Sequence, residues 1–413
     1  MSILDQAFVS SFVASESVQQ ADLVVGLMGL TDEDHIALPL TKAYEGLKQT
    51  YPDLNSVIVY CASESFEKTR KAFLELPSPV PKIFLGTKAY DTSRVHSLIN
   101  LMTLAKNLEA KGIVTIDTNL STVKRTWIGR LLGPILNNQA EMTAPFYHSL
   151  KFDTPVANLL AYPLFRSVFG RRLRQPFATD RAFGPQLNDI FLSYDRWPFD
   201  RPFVETEMTM NILAISHKAR ICQSFMANPR CGSVLPPLNP SSRDLFIDVC
   251  GSLFNLIAQY PDFWLKNSRS RPTPVIGTDL QPPLTLPRKL APMTEFLDSS
   301  RSFAQENRKF FSDIFNAQFD PVFDCLLTQD ANCLTIDPKT WATVIFQSAL
   351  KWPKITIGDR QMLLDCLASV FFGRFITFVR EAAGLTLSQV EALTEEEARV
   401  FESQKHLLTS GWL

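Results

Sequence analysis

Through the first half of the chain, short apolar runs alternate with amphipathic stretches, the pattern of a sheet with helices packed on it. LVVGLM at 23–28 predicts a first strand, and Leu40, Ala43, Tyr44 and Leu47 at helical spacing predict a helix over 37–50. VIVY at 57–60 returns as a second strand and completes a βαβ unit. A helix over 65–76 is predicted to stop at the breakers Pro77 and Pro79, before a third strand, KIFL, at 82–85. A further helix over 93–110 is expected to be capped by Gly112. IVTI at 113–116 then forms a fourth strand whose end delivers Asp117, Thr118 and Asn119. A helix over 124–136 and a strand over 142–147 follow.

After Trp197 the period changes to that of helices, expected over 204–216, 244–260, 296–323, 340–352, 359–383 and 388–405, the last with an acidic Glu395-Glu396-Glu397 face. The proline-rich segment 268–292 excludes a regular helix or a central strand and reads as a connection. The expected fold class is therefore α/β, a mixed sheet with helices over 1–235, followed by a mostly helical C-terminal domain over 236–413.

A length of 413 residues suits two domains, and 46% apolar with 20% charged residues excludes a disordered chain. With 41 basic and 42 acidic residues there is no bulk field for nucleic acid, so any electrostatic partner needs a local patch. One patch stands out: Arg166, Arg171, Arg172 and Arg174 arrive between Tyr162 and Asp180 without an acid. The first 20 residues carry no basic and apolar leader, and the most apolar window, 363–379, contains Asp365 and Arg374, which a membrane-spanning helix tolerates poorly. The seven cysteines include no CxxC pair and read as reduced thiols of a cytoplasmic protein.

Three places invite chemistry. Asp117-Thr118-Asn119 sits where ligands of open α/β sheets bind, and its oxygens suit either a divalent cation with a nucleotide diphosphate or a cap on the turn into the next helix. The arginines followed by Gln175 offer planar forks for phosphate or, equally, a solvated basic surface. Asp180 is placed on a loop where it orients an acceptor hydroxyl or serves as a solvated cap. Glu205 and Glu207 start a helix, where the dipole favours acids, and can also face a site. The five histidines form no ligand spacing, and no glycine-rich phosphate loop, GxSxG or Cys/His signature appears.

With these residues in view, the chain resembles the GT-A glycosyltransferases of the glucosyl-3-phosphoglycerate synthase and mannosylglycerate synthase type. The strongest stretch runs from Ile116 to Asp180: IDTNL, WIGRLLGPIL, APFY and YPLFRSVFGRRLRQPFATD follow the family's order of metal motif, helix, strand and acceptor-side loop. WATVIFQSALKW and FFGRFITFV are similar to its helical domain. The resemblance implies a GT-A fold and retaining transfer of a sugar from a UDP or GDP donor to a small glycerate-like hydroxy acid. It implies donor contacts at Asp117, Asn119, Arg94 and Ser63, acceptor or phosphate contacts at Arg171, Arg172, Arg174 and Gln175, and a catalytic role for Asp180. Mg or Mn is the implied cofactor, held weakly by Asp117 and Asn119.

The motifs depart from the family's at several places. Its D-x-D appears as Asp117-Thr118-Asn119, so a carboxylate has become an amide, a poorer ligand for a hard cation. Cys61-Ala62-Ser63-Glu64-Ser65 replaces an Asp- and Gly-rich donor loop, and Thr92-Ser93-Arg94-Val95 replaces a Gly-Lys-Gly segment. Gln175-Pro176-Phe177-Ala178-Thr179-Asp180 keeps the acid of its loop and loses both glycines, and Asn228-Pro229-Arg230-Cys231 lacks the metal-binding His. Two readings follow: a divergent transferase in which arginines supply the charge at the leaving diphosphate, or a degenerate homologue that serves as a binding or assembly module, as a homodimer or paired with an active relative.

Overall fold

The computed structural model describes residues 9, 11–29, 35–63, 65–88, 94–147, 151–226, 242–277 and 293–412. Two compact units divide the chain: Met1–His148, Phe177–Leu235 and Thr273–Leu284 form the first, and Ser149–Pro176, Pro236–Pro272 and Thr285–Leu413 the second. The second unit thus takes in Ser149–Pro176, between two segments of the first.

The first unit is built on a nine-stranded mixed sheet. Its strands are β1 (Ser11–Ala14), β2 (Leu23–Met28), β3 (Ser56–Ser63), β4 (Lys82–Thr87), β5 (Gly112–Asp117), β6 (Met142–Phe146), β7 (Arg181–Phe183), β8 (Ile221–Phe225) and β9 (Val275–Ile276), in the spatial order β1-β4-β3-β2-β5-β7-β6-β8-β9. β4, β3, β2 and β5 run parallel, β1 pairs antiparallel with β4, and β7 lies antiparallel between β5 and β6. β2, β4 and β5 are buried throughout, which is why they read as unbroken apolar runs rather than alternating ones.

Helices α1 (Ala37–Thr50), α2 (Glu67–Glu75), α3 (Arg94–Asn107) and α4 (Thr126–Leu136) connect these strands, and α6 (Pro185–Leu192) and α7 (Phe203–Ser216) follow β7. α1 buries Leu40, Ala43 and Leu47 as its spacing requires, and Gly46 lets it approach α4 so closely that a Cβ there falls 2.8 Å from Ile128. At the end of α2 the buried Lys82 ammonium donates to the carbonyls of Phe73 and Leu74 at 2.7 Å and to that of Leu76, closing the helix where its dipole is negative. Gly112, expected as the cap of α3, instead opens β5, and Glu109 takes the left-handed conformation at φ 57°. β1, β7, β8 and β9 were not legible as strands: β7 and β9 have three and two residues, too short to show a period.

The second unit is helical. A π-helical turn over Ala157–Ala161 runs into α5 (Tyr162–Phe169), which Gly170 ends at φ 72°. α8 (Ser242–Gln259), α9 (Pro261–Trp264), α10 (Met293–Phe315), α11 (Asp320–Thr328), α12 (Pro338–Lys351), α13 (Ile357–Ala382) and α14 (Leu387–Trp412) complete it. The single helix expected over 296–323 is two, broken where Asn316 and Ala317 take φ of 50° and 61°. Asp337 accepts from the Lys339 and Thr340 amides ahead of α12, and Thr356 accepts from Asp359 ahead of α13. Phenylalanine fills this core: Phe246 stacks on Phe371 at 4.7 Å, and Phe311 lies 4.5 Å from Phe323. Each such burial contributes about 1.5–3 kcal/mol. By length and composition α13 is apolar enough to cross a membrane, but 83% of its apolar window is buried in this unit and Arg374 on it pairs with buried Glu397 at 2.7 Å. Cys61, Cys222, Cys250 and Cys366 are buried thiols.

Candidate functional site

From β2 the chain crosses to β3 on one side, while β5 pairs with β2 on the other. The strand order therefore reverses between β2 and β5, and the crevice outside the carboxyl ends of these two strands is where such sheets bind ligands. The register sets Met28 level with both Cys61 and Asp117, so Gly29 and the Asp117-Thr118-Asn119 turn emerge side by side at that point.

The turn is tightly determined. The Asn119 amide donates to Asp117 Oδ1 at 3.0 Å, and the Thr118 amide donates to Met28 O at 2.9 Å. Gly29 has φ 136°, and a Cβ on it would stand 2.7 Å from Thr118 Oγ1 and 3.3 Å from Asp117 Oδ1. A side chain at position 29 would occupy the space of the turn itself. Ser63 closes β3, buried, with its hydroxyl 2.9 Å from that of Ser65 and donating to Lys88 O at 3.2 Å.

Asp180 is not on an open loop. It is 0% exposed; its Oδ1 accepts from the Asp117 amide at 2.8 Å and its Oδ2 accepts from the Tyr147 hydroxyl. Tyr147 is itself buried, 5.6 Å from the Trp127 ring. Asp180 turns inward because it immediately precedes β7, whose Arg181 pairs with Thr115 of β5, and the strand carries it into the sheet.

Arg94 and Glu207, both named from the sequence, meet here. Arg94 Nε donates to Glu207 Oε1 at 2.8 Å, and Arg181 lies 2.8 Å from Oε2. Arg181 is buried and also donates to Ala178 O at 2.6 Å; burial pushes its pKa down, against the pull of Glu207. Arg94 is therefore committed to a carboxylate of the fold. Glu205 is buried on the same helix. Tyr147, Arg181 and Gly29 were missed in the sequence because nothing local marks them: each meets a partner more than 25 residues away, Asp180, Glu207 and Thr118 respectively.

Arg171, Arg172, Arg174 and Gln175 belong to the helical unit. The four-arginine run is not a uniform cationic surface. Arg166 is buried and held by Glu395 at 2.7 Å and Glu402 at 2.9 Å, and Arg174 makes two bonds of 2.9 Å to Glu391 while lying 4.5 Å over the Tyr162 ring. Three acids of α14, more than 200 residues away in sequence, neutralise two of the arginines. Arg172 donates to Ser270 Oγ at 3.0 Å and Arg171 to Pro272 O at 3.3 Å. A backbone bridge sets Arg171 beside Arg271, and burial together with that second cation lowers the Arg171 pKa. Gln175 is buried.

Asp117 and Asn119 supply one carboxylate and one amide, Asp117 Oδ1 already accepts an amide, and among the described residues no group of three His, Cys, Asp or Glu gathers to hold a metal. This donor set does not fit a firmly held divalent cation. Glu64, Thr92, Ser93 and the segment 228–231 lie outside the described residues.

No family model and no curated protein matches the chain. Among solved structures it is similar to glucosyl-3-phosphoglycerate synthase from Mycobacterium tuberculosis in complex with phosphoglyceric acid, at 16% identity and TM-score 0.43, over 58% of this chain and 80% of that one. The complex of that synthase with Mn²⁺, uridine diphosphate and glucosyl-3-phosphoglycerate gives 17% and 0.42 over 58% and 80%, and a mycobacterial protein gives 16% and 0.41 over 58% and 74%.

Proposed function

We propose that the protein is a glycosyltransferase homologue of GT-A type that binds a nucleotide-sugar, UDP- or GDP-linked, at the β2/β5 switch point. One observation carries the reading: the strand order reverses where the Asp117-Thr118-Asn119 turn emerges at the carboxyl end of β5, packed closely against Gly29 at the end of β2. In this reading Asp117 contacts the ribose, Asn119 the diphosphate, and Ser63 lines the donor side. Transfer with retention goes to a small glycerate-like hydroxy acid. No step is assigned to a metal.

A second reading has its own support. Asp180 is enclosed, Arg94 is held by Glu207 and Arg174 by Glu391, so three groups named for catalysis or phosphate binding are spent within the fold. This favours a homologue that keeps nucleotide binding, or only its surface, and pairs with another chain.

Calorimetric titration of the full chain with UDP, GDP and their glucose and mannose conjugates, with and without Mn²⁺, tests the first reading. Micromolar binding of one nucleotide, followed by release of that nucleotide on adding 3-phosphoglycerate or glycerate, is the expected result. Binding without turnover selects the second reading, and no heat from a folded sample removes the nucleotide site.

A further inference from the structure

We infer that Tyr147 and Asp180 form a positioning pair that fixes the direction of the Asp117 carboxylate at the switch point. Its functional half rests on the nucleotide-binding reading above.

The pairing of β5 with β7 runs through Ile113, Val114 and Thr115 and then stops. Continuing the ladder would require a backbone acceptor for the Asp117 amide from the chain preceding β7. The Asp180 side chain supplies it instead, at 2.8 Å, while Thr115 Oγ1 donates to Thr179 O at 2.6 Å. On the opposite edge of β5 the next amide, Thr118, donates to Met28 O. The peptides on both sides of the Asp117 Cα are thus anchored, one to each neighbouring segment. The Asn119 amide then holds Asp117 Oδ1, and the absence of a Cβ at Gly29 leaves room for the turn.

Asp180 can act as an anchor because it is itself immobilised. Its second oxygen takes the Tyr147 hydroxyl, and the neighbouring Arg181 is tied to Ala178 O and Glu207. Burying a carboxylate without hydrogen bonds costs several kcal/mol, and the Tyr147 hydroxyl supplies one of the donors that offset this cost at Asp180. The sequence Tyr147 to Asp180 to Asp117 transmits position from β6 to the crevice, and it assigns Asp180 to holding the turn rather than to touching an acceptor.

Tyr147→Phe removes the hydroxyl and keeps the ring against Trp127; Asp180→Asn keeps one acceptor oxygen and replaces the other with a donor. Both are compared with the unmodified full chain by hydrogen exchange at the Asp117 amide, by thermal midpoint and by titration with UDP and GDP. The expected result is exchange at Asp117 faster by at least about tenfold, the change brought by one lost hydrogen bond, with nucleotide affinity falling by a similar factor while the midpoint stays within a few degrees. Unchanged protection of the Asp117 amide in both variants overturns the inference. So does lost protection with unaltered affinity, since the pair would then hold a turn no ligand reads. If the unmodified chain binds neither nucleotide, the proposed function fails while the exchange measurement still decides whether the pair holds Asp117. If Tyr147→Phe does not fold, Asp180→Asn carries the same comparison.

Discussion

The Arg181 guanidinium and the Glu207 carboxylate stand 2.8 Å apart inside the sheet unit, with only 2% and 3% of the two residues exposed. Arg94 shares the same carboxylate, so one acid answers two cations. Removing one partner of a buried pair leaves an uncompensated charge and typically costs about 3–5 kcal/mol. Glu207→Ala is expected to lower stability on that scale in urea unfolding, and so is Glu207→Gln, which keeps an acceptor oxygen for only one of the two arginines and turns an NH2 donor toward the other. A loss under about 1 kcal/mol in the alanine variant would show that the pair is not a desolvated one.

Lys82 answers the last carbonyls of α2 from a neighbouring strand. Lys82→Met keeps the aliphatic stem and leaves those carbonyls without their donor, at a cost of about 1–3 kcal/mol. Faster hydrogen exchange should be confined to the last turn of α2 and the start of β4; uniform loosening of the sheet would point to a packing defect instead.

Lys405 donates to Val168 O, Trp264 O and Asn267 O, and burial pulls its pKa down to about 8, with Glu402 opposing. Below that value both the folded and the unfolded chain carry the proton, and the cost of burying the charge is fully present. Between about 8 and the ordinary 10.5 the unfolded chain holds a proton that the folded chain has lost, so this group makes stability rise with pH. Measured against Lys405→Met, the unmodified chain should gain up to about 2 kcal/mol between pH ~7.5 and ~9.5. An equal pH dependence in the two proteins would place the Lys405 pKa near that of an exposed lysine.

Gly29→Ala combines a left-handed backbone with a Cβ 2.7 Å from Thr118 Oγ1. It is expected to cost about 1–2 kcal/mol and to abolish nucleotide binding by displacing the turn. Gly277→Ala is the control, because Gly277 shares a positive φ of 80° but has nothing within 4 Å. Equal effects on nucleotide affinity in the two variants would dissociate the crevice from position 29.

Asn119→Asp supplies a second carboxylate beside Asp117. In Mn²⁺ the affinity for the nucleotide is expected to rise about tenfold, since a hard cation gains a charged oxygen ligand, and to be unchanged without metal. Calorimetry in both conditions measures this, and an unaltered affinity in Mn²⁺ would mean that the turn does not face the diphosphate.

What the sequence determined by itself is the local part of this protein. β2, α1, β4 and β5 lie where their apolar runs place them, and the Asp117 turn falls at the carboxyl end of a strand as read, because a buried parallel strand and an amphipathic helix are set by contiguous residues. The helical character of the C-terminal region follows for the same reason. The tertiary structure alone decided the polar partners. Glu395 and Glu397 look alike in one acidic run, yet they lie on different sides of α14 and serve Arg166 and Arg374. The return of β7 between β5 and β6 converts Asp180 from a loop acid into a buried anchor. A charge finds its partner through non-local packing of strands and helices, and no periodicity in the chain records which one.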